Sequence, residues 1–358
     1  MTMLATPAEK TATRYAVKAE QYTLFRQQGF LVVRDLVAPE DIAELRQHTE
    51  DLMQGRLPEQ TSANGSAKPA LDAPPPNLPP HEKAQFFLRI HMLHRILQLH
   101  ERYMLHPRVL DVLECLIGPD VLALQTMLFL KPPGKPGQGW HQDTFYIPTH
   151  PDTLCGAWIA IDDCDELNGA MWMAAGSGSE PVYPDTDGTF FGNKNLSEIK
   201  YVKGVSDVDD SKNGLSAIAD RYPQLLVPAK AGDVVFFNGH ILHRSKSNYS
   251  ADRFRRSFVS HYCNARSFTQ WGADNRVTAP GEFPCVEPGT GMSNGSHILA
   301  RGDTHLPFAR PLFGTPCAAL LSPEERRKQS QYAAAAIADM ASGMMGTAPA
   351  DPTLEDKH

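Results

Sequence analysis

The pattern of apolar and polar residues changes character at Gly118. Before this point the pattern is helical, with polar residues between recurring apolar ones. It predicts one helix over Ala19–Gln28, a second over about Pro39–Met53 with acids in its first turn, and a helical region from Lys83 to Ile117. Pro107 marks the first turn of a helix inside that last region.

Short apolar runs predominate after Gly118, and Gly, Pro and Asn residues separate them. Runs of this length between turn residues indicate buried strands. The predicted strands are Gly29–Val33 ahead of the change, and then Val121–Leu130, Cys155–Asp162, Ala170–Ala174, Asp233–Phe237 and Ser257–Tyr262. Many short strands behind a helical N-terminal third predict a β-sandwich or barrel that helices buttress.

The chain is predicted to hold one domain with less regular segments around and inside it. The predicted units are a flexible tail over 1–15, a single domain over 16–320, a C-terminal helix over 321–345 and a disordered tail over 346–358. Inside the domain, residues 55–82 form a Pro-rich loop and residues 184–225 a polar insertion. A loop as long as 55–82 is either a lid on the substrate side or simple disorder.

Composition excludes several classes of protein. The 358 residues carry a net charge of −7, with 42% hydrophobic and 21% charged residues. These are ordinary globular values, and the mild acidity argues against a nucleic-acid or membrane-surface partner. The six cysteines form no C-x-x-C pair, which favours free thiols over a thiolate zinc site. With no apolar signal segment, a cytoplasmic location is expected; the oligomeric state stays open.

Two short polar segments follow predicted strands and carry candidate metal ligands. His141 and Asp143 lie in the segment Gly139–Thr144, and His243 lies in Gly239–Ser245. Side chains two positions apart on an extended chain point the same way, so His141 and Asp143 can bind one ion. Two imidazoles and one carboxylate suit Fe(II) and leave three coordination positions open. The predicted metal-binding and catalytic residues are therefore His141, Asp143 and His243.

Three nearby residues could also have a role at the site, but the sequence favours another interpretation of each. His240 could serve as the distal ligand by position alone, but the spacing to Arg255 favours His243. His261 is expected to be a satisfied core histidine rather than a ligand. Lys131 is expected to be an ordinary lysine at a strand end rather than a contact to an anionic substrate.

An iron site that activates O₂ also needs an electron source. A 2-ketoacid can chelate two of the open positions and present a distal carboxylate, which favours a bidentate guanidinium partner. Arg255 and Arg256 begin the last predicted strand, so one of them should point into the barrel and the other out of it.

Taken together and in order, the motifs resemble the phytanoyl-CoA dioxygenase family over about residues 20–265. The segments that carry the resemblance are Gly118-Pro119-Asp120-Val121, Thr126-Met127-Leu128, Lys131-Pro132-Pro133, His141-Gln142-Asp143, Cys155-Gly156-Ala157-Trp158, Asn168-Gly169, Gly176-Ser177, Gly232–Phe237, His243-Arg244-Ser245 and Phe254-Arg255-Arg256. The resemblance implies a double-stranded β-helix (jelly-roll, cupin-like) core of mainly β or α+β class, with helices against it. It also implies Fe(II), 2-oxoglutarate and O₂ as cofactor and co-substrates.

Residue by residue, the resemblance assigns co-substrate contacts as well as metal ligands. Arg255 and Ser245 match the residues that bind the distal carboxylate of 2-oxoglutarate, and Gln125 and Trp158 match positions near the co-substrate. Related halogenases carry a small residue where this chain has Asp143, so hydroxylation is favoured over halogenation. The loop at 55–82 and the region from about 266 have no counterpart in the family, so a fatty acyl-CoA substrate does not follow.

The predicted function is a non-haem Fe(II)/2-oxoglutarate-dependent dioxygenase. It is expected to hydroxylate an unactivated C–H bond of a small molecule and to release succinate and CO₂. The alternatives are a catalytically inactive β-helix used for binding or regulation, and a zinc-dependent hydrolase on the same triad. The intact ligands and Arg255 argue against the first, and an arginine that faces the open metal positions argues against the second.

Overall fold

The computed structural model describes residues 14–54, 77–79, 89–95, 97–183, 214–267, 269, 286–287, 291–292, 297–306 and 309. Most of the predicted tail over 1–15, most of the Pro-rich loop and much of the insertion over 184–225 lie outside the described residues. The C-terminal segments predicted over 321–345 and 346–358 lie entirely outside them. The predicted domain division therefore stays a prediction.

Two antiparallel sheets form the core. The strands are β1 (Phe30–Val33), β2 (Arg89–His91), β3 (Val121–Lys131), β4 (Gln138–His141), β5 (Cys155–Ala160), β6 (Met171–Ala174), β7 (Gln224–Val227), β8 (Val234–Asn238), β9 (His243–Ser245), β10 (Arg255–Asn264), β11 (Val286–Glu287), β12 (Gly291–Met292) and β13 (Ile298–Arg301). The major sheet has the order β1-β8-β5-β10-β3-β13, with β2 also on β3, and the minor sheet has the order β4-β9-β6-β7. A short ribbon pairs β11 with β12.

Five helices accompany these strands in the described part of the chain. They are α1 (Ala19–Gln28), α2 (Pro39–Met53), α3 (Gln98–Met104), α4 (Pro107–Ile117) and α5 (Gly214–Ala219). The α1 helix ends at Gly29, whose φ of 86° is in the left-handed region that a glycine adopts easily, and the chain turns there into β1. The α2 helix opens with Pro39 and the acids Glu40 and Asp41, as the sequence predicts.

The two faces of the major sheet bury different cores. Phe258 and Tyr262 of β10 pack with side chains of the helices, for example Leu45 of α2 and Leu113 of α4. The intervening Val259 points the other way and packs between the sheets. This alternation follows from the two-residue period of a strand, and it leaves the space between the sheets for a functional site. The β-helix class expected from the sequence is thus confirmed.

Two sequence predictions about secondary structure are wrong. The insertion over 184–225 was expected to be irregular, but its described part contains α5 and the start of β7. The stretch from Lys83 was expected to be helical, but Arg89–His91 forms a strand antiparallel to β3, followed by a 3₁₀ turn over Leu93–Arg95. A short apolar run does not reveal its period, and an available sheet edge decides the outcome here. Among the residues that the structure describes, no helix has the length and apolar character needed to cross a bilayer.

Candidate metal centre

His141, Asp143 and His243 meet where the two histidine strands of the minor sheet pair. His141 ends β4 and His243 begins β9, and the two residues are direct partners in the antiparallel register. Their ring centroids are 4.0 Å apart. Asp143 opens a 3₁₀ turn over Asp143–Phe145 that follows β4. The ligand atoms of the three residues all lie within 4.8 Å of one another.

Hydrogen bonds at the far side of each imidazole set the direction of the near side. The Nδ1 atom of His141 lies 2.9 Å from the carbonyl oxygen of Gly139, and that of His243 lies 3.1 Å from the carbonyl oxygen of Ile241. A carbonyl only accepts, so each Nδ1 carries the proton and each Nε2 carries a lone pair. Both Nε2 atoms lie 3.7 Å from Asp143 Oδ1, too far for hydrogen bonds, so the three atoms face one point as a ligand set does.

The carboxyl group of Asp143 is held in its ionised form. Burial by itself raises its pKa, but the neighbouring His243, His261 and His141 outweigh that effect and lower the pKa well below its ordinary value. An ionised carboxylate beside two imidazole lone pairs fits a divalent cation of intermediate hardness, such as Fe(II). The donor set is therefore chemically suited to the metal.

Gln142 lies between the first two ligands and fixes the turn that carries them. Its side-chain amide donates to the carbonyl oxygens of Pro181 and His240 at 3.0 and 2.9 Å, and its oxygen accepts from the backbone N–H of Tyr183 at 3.2 Å. The side chain is buried, so these three bonds join the His141–Asp143 turn to two other loops. Sequence reasoning missed this role because it depends on distant loops.

Arg255 is a buried cation without a carboxylate partner among the described residues. Its guanidinium donates to Ser257 at 3.2 Å and lies over the rings of Phe129 and Trp158, 6.0 and 5.7 Å from their centroids. Its Nε atom has no hydrogen-bond partner within the described structure. Burial lowers the pKa of Arg255 to about 10. A guanidinium in this state fits an anionic ligand.

Ser245 and Lys131 lie beside Arg255. Lys131 is the direct cross-strand partner of Arg255, so both side chains leave the same face of the major sheet. The Nζ atom of Lys131 donates to Ser245 Oγ at 3.0 Å and thereby joins the two sheets. Lys131 is the last residue of β3, as the sequence predicts, but it is buried and in contact with Ser245, a predicted co-substrate residue. Only the register of β3 on β10 places it there.

Arg256 faces the opposite way from Arg255. Its Nε lies 2.7 Å from Asp162 Oδ2, and it also pairs with Glu50 of α2 on the helix-covered side of the major sheet. The expectation that one arginine points inward and the other outward is confirmed, and Arg255 is the inward one.

The structure places the other predicted co-substrate residues close to this region. Trp158 lies over Arg255, as described above, and is buried. The amide nitrogen of Gln125 lies 2.9 Å from Nδ1 of His261, and its Oε1 has no hydrogen-bond partner in the described part of the chain. Contacts of Gln125 and Trp158 to a co-substrate therefore stay predictions.

His240, the alternative distal ligand, lies away from the triad. Its Nδ1 contacts the carbonyl oxygen of Glu180 at 2.7 Å and its Nε2 pairs with Asp152. It lines a separate cavity of about 970 Å³ that α1 also borders. The structure brings His243, and not His240, together with His141 and Asp143.

Comparison with known proteins gives a family match. The family model described as phytanoyl-CoA dioxygenase matches residues 25–257. The peroxisomal phytanoyl-CoA dioxygenase of Bos taurus is 27% identical over 261 residues, which cover 71% of this chain and 71% of that protein. Phytanoyl-CoA dioxygenase domain-containing protein 1 of Danio rerio is 26% identical over 292 residues, which cover 73% of this chain and 94% of that protein.

Solved structures of lower identity share the fold. The non-heme monooxygenase ThoJ in its apo form aligns with a TM-score of 0.54 at 18% identity, covering 89% of this chain and 99% of that one. SnoN, a non-heme alpha-ketoglutarate-dependent epimerase from nogalamycin biosynthesis, aligns with a TM-score of 0.51 at 20% identity, covering 80% and 96%. These likenesses confirm the fold class.

Proposed function

This chain belongs to the phytanoyl-CoA dioxygenase family and is an Fe(II)- and 2-oxoglutarate-dependent oxygenase, and we propose that it hydroxylates an unactivated C–H bond of a small-molecule substrate. One atom of O₂ enters the substrate as a hydroxyl group, and the other enters succinate as 2-oxoglutarate loses CO₂. One observation carries the proposal: the cluster of two histidines and one carboxylate faces the space between the sheets, as does the buried Arg255, which has no carboxylate partner among the described residues.

His141, Asp143 and His243 would hold the iron. When bound, the iron and 2-oxoglutarate together would supply the electrons that O₂ activation requires. The chain supplies the lone pairs of two imidazoles whose Nδ1 atoms are tied to backbone carbonyls, and one ionised carboxylate. Such fixed ligands need little rearrangement when a metal enters.

Arg255 and Ser245 would bind the distal carboxylate of 2-oxoglutarate, with Lys131 beside them. Ser245 is two residues along β9 from His243 and leaves the same face of that strand, about 6.8 Å further on. This separation suits a five-carbon dicarboxylate with one end at the metal and the other at Ser245. The distal carboxylate would then offset one of the two positive charges of Arg255 and Lys131.

The remaining inward side chains would exclude water and orient the reactants. Phe237, Trp158 and Val259 are buried on the inner face of the major sheet. Phe237 packs against the ring of His243, with 5.0 Å between centroids. An apolar surface next to the ligands excludes water from the pocket. A zinc hydrolase needs a water molecule there to activate, so this surface argues against one.

Anaerobic titration of the metal-free protein with Fe(II) and 2-oxoglutarate tests the assignment. We expect a weak visible charge-transfer band, and succinate release after O₂ is admitted. His141→Ala and Asp143→Ala should remove both signals while the circular dichroism spectrum is preserved. Wild-type succinate release by either variant, or tight zinc binding with no band, would refute the assignment.

We further propose that the substrate is a small intermediate of secondary metabolism rather than a fatty acyl-CoA. The family match ends at residue 257, so the residues from about 266 lie outside it, and added segments of this kind shape substrate pockets. The assay is 2-oxoglutarate-dependent succinate release with phytanoyl-CoA and with CoA-free polycyclic and glycosylated compounds. Stimulation by phytanoyl-CoA alone would contradict this choice. The cytoplasmic location expected from the sequence stays a prediction.

A further inference from the structure

His261 contacts the carboxylate of Asp143 on the side away from the two other ligands. The Nε2 atom of His261 lies 2.7 Å from Asp143 Oδ2, whereas Oδ1 is the oxygen that faces His141 and His243. The two oxygens of Asp143 are therefore in different environments. One faces the predicted metal position, and the other already accepts a hydrogen bond.

Gln125 determines which nitrogen of His261 carries the proton. Its amide nitrogen lies 2.9 Å from Nδ1 of His261, and an amide N–H donates, so Nδ1 accepts. The proton is then on Nε2, which donates to Asp143 Oδ2. Amide, imidazole and carboxylate form one directed chain that ends at the metal ligand.

The scaffold under this chain is rigid. Gln125, His261, Gly156 and Phe237 are consecutive cross-strand partners on β3, β10, β5 and β8, so they form one row across the major sheet. The Phe237 ring lies edge-on to His261, with 6.3 Å between centroids. A Cβ atom at Gly156 would come within 2.4 Å of that ring, so the absence of a side chain there makes room for it. His261 is buried and cannot turn away to solvent.

We propose that His261 is a positioning residue that keeps Asp143 a one-oxygen metal ligand. The inference rests on the proposed function. A carboxylate can bind a metal through one or both oxygens, and the second mode would fill a position that the reaction needs. With two histidines and one carboxylate oxygen bound, three positions stay open, two for 2-oxoglutarate and one for O₂. By engaging Oδ2, His261 protects the third position, and Gln125 keeps its donor pointed the right way.

The test compares His261→Leu, which removes the donor at similar volume, with His261→Gln, which restores an N–H donor. Nitric oxide serves as a probe of the third position. Its binding to the anaerobic complex of the protein with Fe(II) and 2-oxoglutarate is measured by electron paramagnetic resonance. We expect the affinity of the His261→Leu complex for nitric oxide to fall roughly 10–100-fold, the range for such supporting partners, because a second bound oxygen of Asp143 would fill the third position. His261→Gln should recover most of the loss.

Gln125→Leu provides a second variant that leaves His261 in place. It should shift the same affinity in the same direction by a smaller factor, which keeps the proposal testable even if His261→Leu does not fold. A wild-type affinity in His261→Leu, or equal losses in His261→Leu and His261→Gln, would overturn the positioning role. Failure of the wild-type protein to bind Fe(II) and 2-oxoglutarate would instead overturn the proposed function.

Discussion

Arg255 and Arg256 are adjacent in sequence but should respond in opposite ways to the same substitution. Arg255 points between the sheets and has no carboxylate partner among the described residues, whereas Arg256 pairs with Asp162 and Glu50. Replacement of each by methionine removes a charge and keeps a long apolar side chain. We expect Arg255→Met to weaken 2-oxoglutarate binding and Arg256→Met to weaken the fold.

The effect of Arg255→Met on binding follows from the bonds that a guanidinium makes to a carboxylate. Two charge-assisted hydrogen bonds in a buried site contribute about 3 kcal/mol or more. Their loss should raise the Kd for 2-oxoglutarate by roughly a hundredfold or more. Arg256→Met should leave this Kd within about twofold of wild type, because Arg256 is on the far face of the sheet.

The effects on stability should be reversed. Burial lowers the pKa of Arg255 from 12.5 to about 10, and at 1.36 kcal/mol per pH unit this difference corresponds to a cost of about 3 kcal/mol for the unliganded protein. Arg255→Met removes that cost, so its free energy of unfolding should not decrease. Arg256→Met leaves Asp162 with the backbone N–H of residue 256 at 3.0 Å and the Arg46 contact at 3.4 Å, and the loss of the guanidinium should cost about 2–4 kcal/mol.

Calorimetric titration with 2-oxoglutarate, in the presence of Mn(II) as a redox-silent metal, measures the first quantity, and urea unfolding of the metal-free proteins measures the second. We expect Arg255→Met to lose affinity for 2-oxoglutarate but not stability, and Arg256→Met to lose stability but not affinity. An Arg255→Met protein with wild-type affinity for 2-oxoglutarate would refute the carboxylate site. A loss of stability in Arg255→Met as large as that in Arg256→Met would refute the account of its buried charge.

Three further changes test other parts of the structure. Gly156→Ala should push the Phe237 ring toward the metal ligands, lowering the unfolding free energy by about 1–3 kcal/mol and weakening Co(II) binding in a spectroscopic titration. Lys131→Met should raise the Kd for 2-oxoglutarate by roughly tenfold in the same calorimetric assay, because its amine bonds to Ser245; an unchanged Kd would separate it from the co-substrate site. Burial lowers the pKa of His100 well below 6.5, so only the unfolded chain binds a proton there as pH falls below 6.5, and stability is lost in that direction. His100→Gln should reduce this acid slope of the urea-derived free energy by up to about 1.4 kcal/mol per pH unit, and an unaltered slope would contradict the assignment.

The sequence was sufficient for features that depend on local periodicity. The two-residue period of a strand places Arg255 and Arg256 on opposite faces. The same argument identified His141 and Asp143 as a ligand pair, although Asp143 lies in the 3₁₀ turn after β4 and not on an extended strand. Proline and acids at a helix start identified α2. Each of these inferences needs only neighbouring residues, so a single sequence contains the information.

Features that depend on strand register could not be predicted from the sequence. Lys131 meets Arg255, and Gln125 meets His261, only because β3 pairs with β10 in one register. The parity of β10 offered a partial signal, since His261 is six residues from Arg255 and therefore on its face, but the sequence did not show that Asp143 lies opposite. The strand at Arg89–His91 was missed for a related reason, because its partner is more than thirty residues away.

The order of the metal ligands along the chain has a consequence for how the metal is acquired during synthesis. His141 and Asp143 are synthesised about a hundred residues before His243, and His261 follows later still. A nascent chain therefore exposes a two-ligand fragment that binds divalent ions weakly and with little selectivity. The selective site arises only when β9 and β10 have joined their sheets, so metal loading should follow the folding of these strands, and the metal should then stabilise the folded protein by mass action.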